Sequence, residues 1–132
     1  MAVEKEELPI LAVKDEETER PIPTAWRPTI REIVRAFVNH DYQLRVGISQ
    51  VAPVSTETAE HIRNYIQHYG ETLTELPEET WKSSVCIWMG KHWDALIDLW
   101  TVSEGRSDLV LSLHVSETDG GFTFNIYMVY VP

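Results

Sequence analysis

The C-terminal part of the chain alternates between apolar and polar side chains with a period of two, the pattern of half-buried β-strands. The first alternating run is Asp108–Glu117, with the apolar set Leu109, Leu111, Leu113 and Val115. The second is Phe122–Val131, which predicts one face made of Phe122, Phe124, Ile126, Met128 and Tyr130. The linking Thr118-Asp119-Gly120-Gly121 is a hairpin signal. Register matters here, because a one-residue slip would exchange the two faces.

Two further strands are predicted at Ser83–Met89 and Trp93–Val102, with turns at Gly90 and at 103–106. A fifth strand could form at Thr72–Leu76 or at Leu44–Val51. Connections this short favour antiparallel neighbours, because parallel strands need long crossovers.

Two helices are predicted ahead of these strands. The first begins near Thr24, and its apolar residues recur at the helical period: Ile30, Ile33, Val34, Phe37 and Val38. The second follows Pro53, is capped by Ser55 or Thr56, and ends at Gly70. We therefore expect an α+β fold: two N-terminal helices packed on one face of a four- to five-stranded antiparallel meander sheet.

The chain's 132 residues suffice for one domain. Residues 1–20 contain seven acids and three bases, which predicts an acidic flexible tail, although its apolar run Leu8–Val13 could instead be a docking strand. Pro21-Ile22-Pro23 marks the boundary, so 21–132 is expected to be a single α+β domain. The opening residues do not resemble a signal peptide, and no apolar run reaches membrane-spanning length, so a cytoplasmic location is expected.

Acidic residues outnumber basic ones by 21 to 11, a formal charge of −10. Residues 21–70 carry four acids and five bases, whereas 71–132 carry ten acids and three bases. Nucleic acids and anionic membranes attract basic surfaces, so neither is expected as a partner. The asymmetry predicts either ion pairs within the chain or a cationic partner for its acidic part.

No catalytic site or cofactor is predicted. Asp94 and Asp98 would lie on one side of a strand but roughly 13 Å apart, too far for a glycosidase pair. Cys86 lies in an apolar strand and is interpreted as a buried structural thiol. No metal site is expected either, since His40, His92 and His114 lack the sequence spacing of metal ligands.

Several segments resemble an uncharacterised bacterial domain family, over about residues 22–132. They are Leu76–Trp81, Trp88-Met89-Gly90, His92-Trp93, Asp98–Thr101, Glu104–Leu109, Asp119-Gly120-Gly121 and Met128–Pro132. The resemblance implies no activity and assigns no functional residue. In size and charge the chain is also similar to small bacterial immunity proteins, an analogy without a shared motif.

Two functions are compatible with the sequence. The first is a non-catalytic acidic module that binds a basic protein partner. Its contact residues would be Asp94, Asp98, Trp100 and Glu104, followed by Glu78 and Glu79. The polar face of the predicted sheet, with Asp94, Asp98, Trp100 and His114, suits such a surface. The same face could instead be the contact of a homodimer.

The alternative is a small-ligand-binding domain or modest enzyme with a pocket between helices and sheet. The residues expected to line that pocket are Trp88, His92, Trp93, Arg106 and His114. Such a site would be concave, with convergent polar groups.

Overall fold

The structure is a computed structural model that describes residues 8–132. Two α-helices, α1 (Arg27–Val38) and α2 (Thr56–Tyr69), accompany one antiparallel sheet. Its strands are β1 (Arg20–Pro21), β2 (Leu73–Thr74), β3 (Val85–Trp88), β4 (Trp93–Thr101), β5 (Gly105–Thr118) and β6 (Gly121–Tyr130). Short 3₁₀ turns precede α1, at Thr24–Trp26, and β3, at Glu78–Lys82. None of the helices in this part of the chain is long and apolar enough to cross a membrane.

The strands lie in the order β1-β3-β4-β5-β6, and β2 pairs with the distal end of β4 beside β3. The predicted α+β class is confirmed, and β3–β6 form the predicted meander. Two details were wrong. The sheet has six strands rather than four or five, and β1 precedes both helices, so the helices are not the first elements. Pro21 pairs only at the sheet edge, where a residue without an N–H is tolerated.

Both helices form where the periodicity predicts them. Pro28 lies in the first turn of α1, where the missing N–H breaks no helical hydrogen bond. The Ser55 hydroxyl caps α2 by accepting a hydrogen bond from the Thr58 N–H at 3.1 Å. Gly70 ends α2 in the left-handed conformation, with φ of 85°.

The sheet has two chemically different faces. On the inner face, β4 contributes Trp93, Ala95, Ile97 and Leu99, which pack with α1 and α2 in one buried core. On the outer face, the same strand presents Asp94, Leu96, Asp98 and Trp100, all half-buried. The predicted orientation of β4 is therefore confirmed.

Strand β6 departs from the predicted alternation. A bulge offsets its pairing, so that Leu113 faces Ile126 while Ser112 faces Met128, which leaves Tyr127 as the extra residue. Beyond the bulge, Val129 pairs with Leu111 and is fully buried. Met128 and Tyr130, expected on the inner face, therefore lie on the outer face. Their prediction was wrong because strict alternation assumes an unbroken ladder.

Residues 8–19 belong to the segment predicted to be a flexible tail, and several of them contact the domain. The Thr24 N–H donates to the Ile10 carbonyl at 2.9 Å, and the Trp93 indole N–H donates to the Val13 carbonyl at 2.9 Å. Lys14 pairs with Glu117 at 3.0 Å. These contacts place the segment beside the inner face. The rest of the predicted tail, residues 1–7, lies outside the described residues.

Replacing Phe124 with alanine should destabilise the protein far more than replacing Tyr127. Phe124 is 1% exposed and packs edge-to-face on Trp26, whereas Tyr127 is 55% exposed on the other face of the same strand. We expect Phe124→Ala to lower the free energy of unfolding by about 3–5 kcal/mol. Tyr127→Ala should cost about 1 kcal/mol or less. Urea unfolding measures both, and equal losses would contradict the assignment of the two faces.

Candidate functional site on the outer sheet face

Three of the six predicted partner-binding residues lie together on the outer face. Asp94 pairs with His114, Asp98 with Val110, and Trp100 with Arg106 across β4 and β5. Partners in an antiparallel pair share a face, so these side chains form one surface. The Asp98 carboxylate is anchored there by the Ser83 hydroxyl, which donates to it at 2.5 Å.

The other three predicted contact residues do not join this surface. The Glu104 carboxylate accepts hydrogen bonds from the Tyr69 hydroxyl at 2.9 Å and the Thr101 hydroxyl at 3.0 Å, which hold it near the end of α2. Glu78 forms an ion pair with Arg31 of α1. Glu79 is exposed in the 3₁₀ turn before β3. The six residues therefore do not form one continuous patch.

The residues of the alternative pocket are divided between the two faces of the sheet. Trp93 is buried on the inner face, and Trp88 packs on it with ring centroids 4.5 Å apart. His114 and Arg106 lie on the outer face toward opposite ends of the β4–β5 ladder, and His92 lies beside His114 through their shared contact with Asp94. The sheet itself separates these groups, so the five side chains cannot line one cavity between helices and sheet.

A compact polar cluster lies at the β3–β4 end of the outer face. The Asp94 Oδ1 atom is 3.0 Å from His92 Nε2 and 3.4 Å from His114 Nε2. The two imidazoles are stacked with ring centroids 4.3 Å apart, and Tyr127 stacks on His114 at 4.5 Å. The side chains of His92, Asp94 and His114 are each 31% exposed, so solvent reaches the cluster. We call these three residues the His–Asp–His cluster.

The neighbours of His114 change its acidity. Partial burial lowers the pKa of its imidazole below the ordinary value, and the nearby His92 lowers it further. The Asp94 carboxylate acts in the opposite direction and raises that pKa, but by less. The net shift favours the neutral imidazole, which has a free nitrogen lone pair.

Local structure explains how His92 reaches Asp94. The chain reverses between β3 and β4 at Gly90, whose φ of 95° favours glycine. The Met89 N–H donates to the His92 carbonyl at 2.8 Å, which closes the turn. A side chain at position 90 would also come within 3.1 Å of the Glu16 carboxylate. The turn thus fixes His92 directly before β4.

Sequence reasoning missed this cluster, although it placed Asp94 and His114 on the same face. His92 and Asp94 are two residues apart, but His114 lies on another strand, so spacing along the chain does not reveal the set. The signal that could have found it is the pairing register, in which Asp94 and His114 are direct partners. The expectation of no metal site rested on spacing alone.

Cys86 has the environment of a structural thiol. It is 4% exposed on the inner face, and its Sγ lies 3.6 Å from the Pro21 carbonyl oxygen. Burial raises the pKa of this thiol to about 11. His114 is on the opposite face of the sheet, so it cannot act as a base for Cys86.

The structure defines a small α+β domain in which two helices cover one face of an antiparallel meander and a His–Asp–His cluster lies on the other. The chain belongs to the family described as "Domain of unknown function (DUF7668)", whose model matches residues 34–132. The predicted membership of an uncharacterised family is thereby confirmed. No curated protein and no solved structure matches the chain.

The match begins inside α1, although the core begins earlier in the chain. Ile22, Trp26 and Ile30 precede residue 34 and are fully buried. The segment before the match is therefore integral to the packing of this domain.

Cys86 should resist alkylation in the folded protein. With a pKa of about 11 its reactive thiolate is scarce at pH 8, and burial excludes the reagent. Iodoacetamide labelling followed by mass spectrometry should show slow modification in buffer and rapid modification in urea. The rate in buffer should rise with pH toward 11. Fast labelling of the folded protein at pH 8 would contradict this interpretation.

Proposed function

We propose that this protein is a non-catalytic interaction module whose outer sheet face binds a basic segment of another protein. The observation that carries the proposal is the asymmetry of the sheet. Both helices and residues 10–14 pack on the inner side, whereas the outer face carries the half-buried Asp94, Asp98 and Trp100 and the exposed ring of Tyr127. Aromatic side chains among polar groups are typical of the contact regions of protein interfaces.

Charge supports a cationic rather than a neutral partner. The described residues contain 18 acids and 10 bases, after Glu4, Lys5, Glu6 and Glu7 are subtracted from the totals of 21 and 11. Their formal charge is therefore 10 − 18 = −8. An acidic chain attracts a basic partner over long range and accelerates their encounter.

Ion pairs within the chain use only part of this negative charge. Glu75 and Glu78 are paired with Arg35 and Arg31 of α1, so internal pairing, one of the two explanations of the charge asymmetry, accounts for these acids. Asp98 contacts a serine hydroxyl rather than a cation. It therefore remains available to a partner's lysine or arginine.

Trp100 supplies the apolar part of the proposed contact. It lies two residues from Asp98 on the same face of β4, and its ring borders Gly105, with ring carbons 3.6 and 3.9 Å from a Cβ built there. A carboxylate beside a tryptophan suits an arginine side chain, because the guanidinium group can form an ion pair with the carboxylate and stack on the indole ring. The proposed contact centre is therefore Asp98 and Trp100, with Asp94 further along the strand.

The alternative function, a ligand pocket between helices and sheet, gains no support from this packing. Trp26, Trp93, Phe122 and Phe124 fill the space beside α1 with edge-to-face contacts at 5.4–6.1 Å. The bacterial origin, the cytoplasmic location and the similarity to immunity proteins remain parts of the proposal.

Reversing the charge of Asp98 should abolish most of the binding without unfolding the protein. Wild type, Asp98→Lys, Trp100→Ala and a control variant, Glu60→Lys, would be immobilised and exposed to host extract at low and high salt. Glu60 is an exposed acid of α2, away from the outer face. A basic protein should be retained by wild type and by the control at low salt, and lost from the two outer-face variants.

The retained protein would then be purified and its affinity measured by calorimetry. We expect Asp98→Lys to raise Kd at least tenfold, with Glu60→Lys changing it by less than about threefold. Thermal melts of all variants exclude misfolding as the cause. Equal affinity of wild type and Asp98→Lys would overturn the proposal. So would a second copy of this chain as the only species that binds the outer face, because that result would make the face a homodimer contact.

A further inference from the structure

The His–Asp–His cluster brings together three groups that ligate transition metals. Two imidazole nitrogens and one carboxylate oxygen all lie within 4.8 Å of one another. Strand pairing holds Asp94 on β4 and His114 at its partner position on β5, and the turn at Gly90 places His92 directly before β4. The three ligand atoms therefore converge without any movement of the backbone.

The distances from the Asp94 carboxylate to the two imidazole nitrogens are close to those around a small tetrahedral ion. Ligand bonds of about 2.0–2.2 Å at tetrahedral angles place neighbouring ligand atoms roughly 3.3–3.6 Å apart. The two distances from Asp94 Oδ1, to His92 Nε2 and His114 Nε2, are 3.0 and 3.4 Å. Because the two imidazoles are stacked, with ring centroids 4.3 Å apart, one of them must rotate about its side-chain bonds before both Nε2 lone pairs point at one ion.

The surroundings also resemble those of a ligand set rather than an isolated ion pair. The Tyr127 ring stacks on His114 and restricts the imidazole on the side away from His92. The partial exposure of all three side chains leaves room for water or another ligand. Zinc sites with three protein ligands and one open position have this composition.

We propose that His92, Asp94 and His114 bind one divalent first-row transition-metal ion, with Zn²⁺ as the representative ion. His92 and His114 ligate through Nε2 and carry their protons on Nδ1, and Asp94 ligates through its carboxylate. The remaining coordination position is open to water or to an anionic group from solution. This site does not rest on the proposed basic partner, since it can be tested with the metal alone.

The ligand types define which ions should bind. Imidazole nitrogen suits Zn²⁺, Co²⁺ and Ni²⁺, whereas Mg²⁺ and Ca²⁺ prefer a shell of oxygen ligands. One carboxylate between two histidines offers too few oxygen ligands for Mg²⁺ or Ca²⁺. The proposal therefore requires that the site bind Zn²⁺, Co²⁺ and Ni²⁺ much more tightly than Mg²⁺ and Ca²⁺.

The test is calorimetric titration of the tag-free full chain with Zn²⁺, supported by the visible absorption of added Co²⁺. We expect one equivalent of Zn²⁺ per chain with a micromolar or lower Kd, and intense tetrahedral absorption bands with Co²⁺. His92→Gln, His114→Gln and Asp94→Asn should each raise the Kd for Zn²⁺ at least tenfold. Millimolar Mg²⁺ should not displace the bound ion.

A matched control is available on α2, where His61 and His68 are both exposed. The double variant His61→Gln/His68→Gln should bind Zn²⁺ as wild type does. Tyr127→Phe, which retains the stacked ring, should also bind normally. Excess Zn²⁺ should raise the Tm of wild type and of both controls, and that of His114→Gln clearly less.

Three results would overturn the proposal: no saturable binding near one equivalent, affinity unchanged in all three ligand variants, or loss of binding in the α2 control. If His114→Gln fails to fold, His92→Gln decides the outcome, because His92 precedes β4 and makes no strand pair. The two histidine variants leave Asp94 and Asp98 in place, so loss of metal binding there is distinguishable from loss of the basic partner.

Discussion

The pairing of β4 with β5 is the constraint on which the rest of the structure depends. In this register Trp93 faces Val115 in the core, and the next pair, Asp94 and His114, faces outward. A shift by one residue would expose a tryptophan and bury a carboxylate. Burying an unpaired carboxylate costs several kcal/mol, and exposing the apolar set forfeits the burial that stabilises the core. Both effects oppose a shift, so the register is fixed strongly.

The same register creates the His–Asp–His cluster on the outer face. Direct partners in an antiparallel pair lie close enough for their side chains to interact, which explains the contact of Asp94 with His114. Tyr127 is reached diagonally, because His114 pairs with Asn125, two residues earlier in β6. The bulge that follows turns Tyr127 and Met128 to the same side and widens the outer face. Core packing on one side thus determines the arrangement of functional groups on the other.

Periodicity predicted most of this fold because each main element obeys a single local rule. Each signal depends only on residues close together in sequence: the apolar stripe of α1, the Ser55 cap and Gly70 stop of α2, and the alternation of β4. Strand β1 was missed because Pro21 signals a break, and only its pairing with Val85 makes it a strand. The β6 bulge was missed because Tyr127, Met128 and Val129 are all apolar enough to face either way.

The sequence predicted which residues of the candidate site share one face of the sheet, but it did not predict which side chains contact each other. Alternation placed Asp94, Asp98 and Trp100 together, whereas the fate of Glu78 and Glu104 depended on partners far away in sequence. Arg31 pairs with Glu78 and Tyr69 donates to Glu104, and both partners lie on helices. Such contacts depend on how the helices are placed over the sheet, which local patterns do not specify. The His–Asp–His cluster was missed for a related reason, since its members meet only through strand register.

The two proposed ligands of the outer face are coupled at Asp94. A bound divalent ion would turn this end of the face from negative to positive, and a basic partner contacting Asp94 would then be repelled. By thermodynamic linkage, a bound partner would lower the affinity of the site for the metal by the same factor. Asp98 lies roughly 13 Å further along β4, beyond the screening length of about 8 Å at physiological salt. A partner anchored on Asp98 and Trp100 therefore tolerates the metal, whereas one that extends to Asp94 competes with it.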